Sequence, residues 1–398
     1  MALKYRSEPG VKKDEALLGT YSRQQVSFVR GKGCSVWDSN GREYLDLVAG
    51  IAVNSLGHNH PKLVAAVCNQ ATNIMHSSNL YEIPNQSTLA ARLVKHLPGA
   101  WKVFFSNSGA EANEAAIKFA FKATGRSKIV STLNSFHGRT AMTLSVTGQQ
   151  KYWKGFEHLI YRDVLFADYG SAESVKSKLD KDVACIIVEP IQGEGGVIVP
   201  PAGFLADVCE AARENGTLLI MDEIQAGMCR TGKFFAHAWE EGCTPDIITM
   251  AKALAGGVPI GATLVSPSVA GKIAPGDHGS TFGGNHLSTA AANAVMDVVE
   301  APGFMEEVAR KGGKLTGGLE EIFEGAEYVK EVRGKGLMIG VEMTPEAAKS
   351  FKSFAMERGF IVNVAHDCVI RLVPPLIISD EEIESFLAMS SAFASSMQ

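Results

Sequence analysis

Two patterns of apolar and polar residues divide this chain, and each predicts a different kind of structure. The segment from residue 27 to 47, SFVRGKGCSVWDSNGREYLDL, alternates apolar and polar positions around two glycine-containing turns. Alternation with a period of two, interrupted by Gly-Lys-Gly and Ser-Asn-Gly, is typical of antiparallel strands joined by tight turns. The first fifty residues are therefore predicted to contain β-hairpins.

From about residue 60 to 300 the pattern changes to short apolar runs separated by helical stretches. The runs are apolar on both faces, which is typical of a mainly parallel sheet covered by helices on both sides. The predicted strands are 101–105, 128–132, 183–189, 217–222, 246–251 and 261–266. A long helix follows in LSTAAANAVMDVVEA and ends at Pro302-Gly303.

The last hundred residues return to a mixture of helices and alternating strands, with strands predicted in GLMIGVEM, FIVNVA and CVIRLV. We therefore predict an α/β fold with two domains. The large domain, with a mainly parallel sheet, covers 56–302, and a smaller α+β domain covers 303–398. Residues 1–55 form an N-terminal segment that packs with the small domain.

Composition excludes several classes of function. The net charge of −5 over 398 residues, without a basic cluster, argues against a nucleic-acid-binding surface. No apolar run approaches the roughly 20 residues needed to span a bilayer, and the first fifteen residues do not resemble a signal peptide. The seven cysteines form no CxxC pair, which favours reduced thiols over a disulfide framework or a zinc site. A cytoplasmic protein is predicted.

Candidate chemistry is concentrated where the predicted strands end. Glu189, Asp222 and Lys252 follow three of them, and the loop Ser106–Glu111 follows a fourth. Ligands of an open parallel sheet bind beyond the carboxyl ends of its strands. These residues are therefore expected to share one site.

The loop after the first of these strands has the features of an anion site. Ser108 and Glu111 stand at capping-box spacing before a helical stretch that runs to Gly125. A helix N-terminus presents unpaired N–H groups and a positive dipole end, which bind phosphate. The same segment is also compatible with an ordinary helix cap.

Lys252 follows an apolar strand and precedes small residues, in AKALAGG. Desolvation would lower its pKa and favour Schiff-base formation. A pyridoxal 5′-phosphate (PLP) site requires such a lysine, an acid beside the pyridine nitrogen and an anion site for the phosphate. Asp222 could supply the acid. The alternatives for Asp222 are capping of the following helix, pairing with a cation and, less favourably, metal binding.

The pair His58 and His60 lacks further ligands at metal-site spacing, so no metal site is predicted.

Seven motifs in order resemble class III, ω-type, PLP-dependent aminotransferases of fold type I. They are NSGAEANE (107–114), SFHGR (135–139), EPIQGEGG (189–196), MDEIQ (221–225), RTGK (230–233), AKALAGGVPIGA (251–262) and STFGGN (280–285). The resemblance extends from about Tyr21 to the C-terminal helix. Within the family it is nearest to the branch that uses N-acetylornithine, on the basis of residues 28–61, 77–86 and 369–379.

The resemblance implies a role for each matching residue. Lys252 would form the Schiff base and move the proton, while Asp222 would hold the pyridinium N–H. Ser108, Gly109 and Ala110 would bind the phosphate, and Phe136 and Ile224 would pack on the two faces of the ring. Gln225 would contact the phenolic oxygen, with Glu189 as its neighbour. Thr281 would be contributed by the partner subunit of a homodimer.

The resemblance also implies substrate contacts, at Arg139, Ser280, Glu194 and Arg371. Arg139 would bind a carboxylate as a bidentate fork. Glu194 would neutralise Arg371 while the amine is bound and release it for the second carboxylate of glutamate or 2-oxoglutarate. A surface salt bridge for Arg139 and a structural ion pair for Arg371 are the alternatives.

The implied reaction transfers the terminal amino group of N-acetylornithine to 2-oxoglutarate, a step of arginine biosynthesis. Other ω-amine donors remain open, namely succinylornithine, ornithine and 4-aminobutyrate, as does, more remotely, a non-catalytic PLP-fold binding protein. GKGLMIG leads into a strand and so does not fit a nicotinamide-binding fingerprint. Two positions depart from the family pattern, because His286 replaces a common proline and Cys229 a common glycine.

Overall fold

The computed structural model describes residues 16–397. The N-terminal fifteen residues, on which the prediction about a signal peptide depends, lie outside the described residues, as do the start of the predicted N-terminal segment and Gln398. Fifteen strands lie within the described range. They are β1 Phe28–Lys32, β2 Ser35–Asp38, β3 Glu43–Asp46, β4 Lys102–Ser106, β5 Lys128–Thr132, β6 Val164–Ala167, β7 Val183–Val188, β8 Leu218–Asp222, β9 Ile247–Met250, β10 Gly261–Val265, β11 Val329–Lys335, β12 Met338–Met343, β13 Phe360–Ile361, β14 Asn363–Ala365 and β15 Val369–Leu372.

Twelve α-helical segments connect and cover these strands within residues 16–397. They are α1 Ala49–Ala52, α2 Pro61–Asn73, α3 Pro84–Val94, α4 Gly109–Thr124, α5 Ala141–Ser145, α6 Ala172–Lys176, α7 Phe204–Asn215, α8 Pro267–Ala270, α9 His286–Val299, α10 Phe304–Ile322, α11 Pro345–Glu357 and α12 Asp380–Ser396. None of those helices combines the length and apolarity needed to cross a bilayer.

The central sheet has seven strands in the order β4-β10-β9-β8-β7-β5-β6. Neighbours from β9 to β6 are parallel, and β10 is antiparallel to both β4 and β9. The mainly parallel α/β sheet predicted from the sequence is therefore confirmed. All six residues of β7 are buried, because helices cover both faces, and this accounts for its uninterrupted apolar sequence.

The N-terminal hairpins are also confirmed, since β1, β2 and β3 pair in antiparallel order. The edge of this small sheet continues into β13, which pairs in parallel with β3. A third sheet, β11-β12-β15-β14, contains the C-terminal strands. Residues 45–47 thus contact the C-terminal part of the chain through backbone hydrogen bonds. The domain boundaries at 55 and 302 stay predictions.

One expectation about cysteines is wrong. Cys209 on α7 and Cys243, before β9, form a disulfide, with their Cα atoms 5.4 Å apart. That separation is within the usual range for a disulfide. Cys34, Cys68, Cys185, Cys229 and Cys368 are free. The bridge closes a chain segment that contains the whole of β8.

We predict that reducing this bridge destabilises the protein. A cross-link across a separation of 34 residues restricts the unfolded chain and is worth about 3–4 kcal/mol in the chain-entropy model. Calorimetry with and without dithiothreitol should show a melting temperature several degrees lower in the reductant. A Cys209→Ala/Cys243→Ala double variant should have lost this response, and Cys68→Ala should keep it. An identical melting temperature under both conditions would contradict the prediction.

Candidate active site

A cavity of about 460 Å³ opens at the carboxyl ends of β7, β8 and β9. The site residues predicted from the sequence converge on it from five separate segments of the chain. Those that line it are Ser108, Gly109, Ala110, Phe136, Arg139, Glu189, Glu194, Asp222, Ile224, Gln225 and Lys252. The sheet topology therefore produces the convergence expected of strand ends in a parallel sheet.

Lys252 lies just after β9, at the start of a short 3₁₀ turn. Its backbone is left-handed, with φ of 40°, a conformation that costs energy for a residue with a side chain and recurs at functional sites. Burial lowers the pKa of Lys252, and the Arg371 guanidinium lowers it further, whereas Glu194 and Asp222 oppose the shift. A lowered pKa increases the fraction of neutral, nucleophilic amine.

Asp222 is the last residue of β8 and is almost entirely buried. Asn113 Nδ2 donates to its Oδ2 at 2.8 Å, and His137 Nδ1 lies 2.7 Å from the same oxygen. The Ile224 amide donates to Oδ1 at 3.0 Å. Three separate contacts thus fix both oxygens of this buried carboxylate. Asp222 is therefore held in a fixed orientation as an acceptor for a cationic N–H in the cavity.

Sequence reasoning did not assign Asn113 and His137 to the site. Both stand inside quoted motifs, NSGAEANE and SFHGR, and their positions beside predicted site residues were the available signal. Asn113 Nδ2 also donates to the His137 carbonyl at 2.9 Å. The contact joins α4 to the loop after β5, so that two segments distant in sequence hold one carboxylate.

The phosphate-site prediction falls on the N-terminus of α4. Ser108 is the N-cap, and its Oγ accepts from the Glu111 amide at 3.2 Å. The Glu111 side chain accepts from the Asn107 amide. A Cβ on Gly109 would lie 2.8 Å from the Ile224 side chain, so this close approach requires glycine. The first amides of α4 have no acceptor within the helix and border the cavity.

Glu189 lies deep in the cavity and is 5% exposed. Its two carboxyl oxygens accept from the amides of Phe136 and Gly193, each at 3.0 Å. The pKa of Glu189 is raised to about 7, mainly by burial and further by the Asp222 charge. His137 and the two amides lower this pKa, but they offset only part of the increase. Glu189 thereby fixes the loop that carries Phe136 against β7.

Arg371 on β15 is fully buried and pairs with Glu194. Its Nε donates to Asn363 Oδ1 at 3.1 Å, and its Nη1 donates to Gln225 Oε1 at 3.3 Å. Burial opposes ionisation of Glu194, but the charges of Arg371 and Lys252 outweigh it and lower the pKa of Glu194. In this structure Arg371 is neutralised and lies behind the cavity wall.

Arg139 is exposed at the cavity mouth, with its guanidinium carbon 4.0 Å from the centre of the Tyr152 ring and 5.5 Å from that of Phe136. Ser280 and Thr281 line a second cavity instead. Ser280 still approaches the first cavity, since its Oγ accepts from Asn107 Nδ2 at 3.2 Å. Within one chain the structure therefore does not bring Thr281 to Lys252.

The two departures from the family pattern have physical accounts. Cys229 is buried in left-handed backbone, with φ of 67°, a conformation that glycine adopts at lower cost. His286 is the first residue of α9, and its Nε2 lies 2.8 Å from Ser77 Oγ. Neither residue lines the cavity at Lys252.

The fold and cavity define a PLP-dependent enzyme of fold type I. The chain belongs to the aminotransferase class-III family, whose model matches residues 20–393. An acetylornithine aminotransferase from Methanothermobacter thermautotrophicus is 47% identical over 93% of this chain and 94% of its own length. Another, from Caldanaerobacter subterraneus, is 46% identical over 93% of this chain and 95% of its own length.

Solved structures agree on the fold. An ornithine aminotransferase from Toxoplasma gondii superposes with a TM-score of 0.92 at 32% identity, covering 96% of this chain and 93% of that one. An N-acetylornithine aminotransferase from Stenotrophomonas maltophilia has a TM-score of 0.82 at 38% identity, covering 95% and 97%.

The residues present fit PLP. The cavity offers an amine of lowered pKa at Lys252, a fixed carboxylate at Asp222 and the free amides of α4 for a phosphate. It also offers two apolar side chains, Phe136 and Ile224. These are the groups that a PLP enzyme requires of its protein.

We predict that Glu189 makes stability depend on pH. A raised pKa in the folded state means that the unfolded chain loses its proton first, so stability falls as pH rises from about 4.5 to about 7. The loss is up to about 3 kcal/mol. Melting temperatures of the apoprotein between pH 5 and 8 should decline more steeply for the wild type than for Glu189→Gln. Glu173→Gln, on the surface, is the control, and parallel curves for the wild type and Glu189→Gln would refute the assignment.

Proposed function

We propose that this enzyme transfers the terminal amino group of N-acetylornithine to 2-oxoglutarate, giving N-acetylglutamate 5-semialdehyde and glutamate. The observation that carries the proposal is the different state of the two arginines. Arg139 is available to a carboxylate, whereas Arg371 is neutralised by Glu194. N-acetylornithine carries one carboxylate and 2-oxoglutarate carries two, so one cavity accommodates both if Glu194 releases Arg371 for the second substrate.

The choice of amine donor rests on sequence similarity rather than overall shape. The two measures disagree, because the TM-score is higher for the ornithine aminotransferase and the identity is higher for the acetylornithine enzymes. Backbone superposition reports the fold, whereas specificity depends on side chains in the pocket. Sequence identity is therefore the better guide to the amine donor and favours N-acetylornithine. Ornithine is the second candidate donor, because the ornithine aminotransferase has the higher TM-score.

In the proposed reaction each residue has a separate task. When bound, PLP would supply an electron sink for the negative charge that develops when the substrate's terminal carbon loses a proton. Lys252 would remove the proton from that carbon and deliver it to the cofactor, and in the opposite half-reaction it would carry a proton from the cofactor to the α-carbon that derives from 2-oxoglutarate. Asp222 keeps the pyridine nitrogen protonated, and the amides of Ser108, Gly109 and Ala110 hold the phosphate.

The remaining residues orient the reactants. Phe136 and Ile224, which line the cavity, would hold the cofactor ring, and Glu189 fixes Phe136 by accepting from its amide. Gln225 contacts Arg371 and Glu194 in this structure, so it would turn from that pair to reach the phenolic oxygen. Arg139 holds the substrate carboxylate as a bidentate fork.

We also propose a homodimer in which Thr281 and Ser280 complete the partner's site. Exposed apolar side chains lie beside them, since Leu80, at 86% exposure, lines the same cavity and the exposed Phe282 follows Thr281 in sequence. An apolar surface of this kind beside a binding cavity is typical of a protein–protein interface. Arginine biosynthesis in the cytoplasm remains part of the proposal.

The donor assignment predicts a simple spectroscopic result. N-acetylornithine, ornithine and 4-aminobutyrate are added separately to the PLP-loaded enzyme, and the visible absorbance of the cofactor is followed. N-acetylornithine should bleach it fastest at low concentration, because the choice of donor rests on sequence identity, which is higher for the acetylornithine aminotransferases than for the ornithine aminotransferase. Faster bleaching by another amine would reassign the donor, and no bleaching by any of the three would reject ω-amine transfer.

A second prediction concerns Glu194. Glu194→Gln leaves Arg371 charged during the amine half-reaction, so kcat/KM for N-acetylornithine should fall about tenfold relative to that for glutamate. Single-turnover kinetics of each half-reaction measure the ratio. Glu331→Gln is the matched control, since Glu331 forms an exposed ion pair with Arg333. An unchanged ratio in Glu194→Gln would reject the proposed switch.

A further inference from the structure

The two substrate-binding arginines are held by different kinds of contact. Arg371 is surrounded by oxygen acceptors from Glu194, Gln225 and Asn363. Arg139 makes no hydrogen bond or ion pair within residues 16–397, and its guanidinium stacks on Tyr152. One arginine is thus restrained by a competing anion and the other by an aromatic face.

Tyr152 is fixed in place by the loops around it. It ends a short 3₁₀ turn, Gln150–Tyr152. The preceding Gln149 is buried and its Nε2 donates to the Asn134 carbonyl at 3.1 Å. The following Trp153 donates through Nε1 to the Thr147 carbonyl at 3.1 Å. The Tyr152 ring therefore has a defined position relative to the loop that carries Phe136 and Arg139.

The rings of Tyr152 and Phe136 also contact each other edge to face, with centroids 5.7 Å apart. Phe136 lines the cavity, so Tyr152 supports both a wall of the cofactor site and the arginine at its mouth. The Tyr152 hydroxyl makes no hydrogen bond to the part of the chain that the structure describes. Its ring, rather than its polar atom, is the contacting group.

An aromatic face holds a guanidinium without using its hydrogen-bond donors. The ring quadrupole attracts the cation from above, whereas the N–H groups point outward in the guanidinium plane. A carboxylate partner would occupy those donors and compete with the substrate, as Glu194 does at Arg371. Tyr152 therefore restrains Arg139 and leaves its bidentate edge open.

We propose that Tyr152 is a positioning residue that sets the preference of this enzyme for amine donors bearing a carboxylate. It acts through Arg139, and the inference rests on the proposed role of Arg139 as the carboxylate fork. The substrate class it selects is an ω-amine whose far end carries a carboxylate. An amine of the same length that lacks this group gains nothing from the contact.

The test compares two donors that differ by that one group, N-acetylornithine and N-acetylputrescine. Tyr152→Leu should lower kcat/KM for N-acetylornithine about three- to thirtyfold, the range that one cation–π contact supports. The loss should appear mainly in KM, and N-acetylputrescine should be affected much less. Tyr152→Phe keeps the ring and should retain the discrimination. Lys151→Gln is the control for charge, because Lys151 Nζ lies 5.2 Å from the centre of the same ring.

A binding measurement separates positioning from chemistry. Calorimetric titration of the PLP-loaded enzyme with glutarate, a non-reacting dicarboxylate, should show a dissociation constant raised by a similar factor in Tyr152→Leu. In an Arg139→Met background, Tyr152→Leu should have no further effect. Melting temperature and cofactor absorbance establish that each variant is folded and loaded.

Two results would overturn the inference, and they are distinguishable. If Tyr152→Leu lowers kcat/KM equally for both donors, or changes it for neither, Tyr152 does not act through Arg139. The proposed function would still stand. If the wild-type enzyme itself does not distinguish N-acetylornithine from N-acetylputrescine, Arg139 is not the carboxylate fork, and both the proposed role and the inference fail.

Discussion

The buried carboxylate of Asp222 is the charge around which the site is organised. It ends β8, in the middle of a sheet whose strands are apolar on both faces, so its oxygens accept hydrogen bonds from fixed donors rather than from water. Asn113, His137 and the Ile224 amide supply them from three segments. This requirement positions α4 and the loop after β5, and those same segments carry Gly109, Ala110 and Phe136, which line the cavity.

The other charged side chains of the site differ in the kind of group that contacts them. Glu189 accepts from two amides, and burial raises its pKa. Glu194 pairs with Arg371, and its pKa is lowered. The pKa values of two carboxyl groups from one motif, EPIQGEGG, therefore shift in opposite directions, because Glu194 pairs with a buried arginine whereas Glu189 accepts from amides. Arg139 represents a third solution, in which an aromatic ring restrains a cation and leaves its donors unoccupied.

Much of this arrangement could be predicted from the sequence, because strand ends in a parallel sheet converge by topology alone. The six predicted strands of the central sheet, the hairpins and the Lys252–Asp222 cavity follow from periodicity and motifs. Strand β6 was missed because it is a short edge strand in a polar context. The Cys209–Cys243 bridge and the Tyr152–Arg139 stack were missed because each depends on packing between separate elements, which no local pattern encodes.

Arg230 connects the C-terminal sheet, β11-β12-β15-β14, to the central seven-stranded sheet. Arg230, in the loop after β8, is fully buried, and its Nη1 donates to the carbonyls of Leu337 and Pro374. Burial lowers the pKa of Arg230 to about 9, so the charge is retained near neutral pH. Leu337 immediately precedes β12, and Pro374 follows β15 by two residues. Both strands pair at Gly340 and Arg371, so the contacts of Arg230 link the loop after Asp222 to the arginine that Glu194 neutralises.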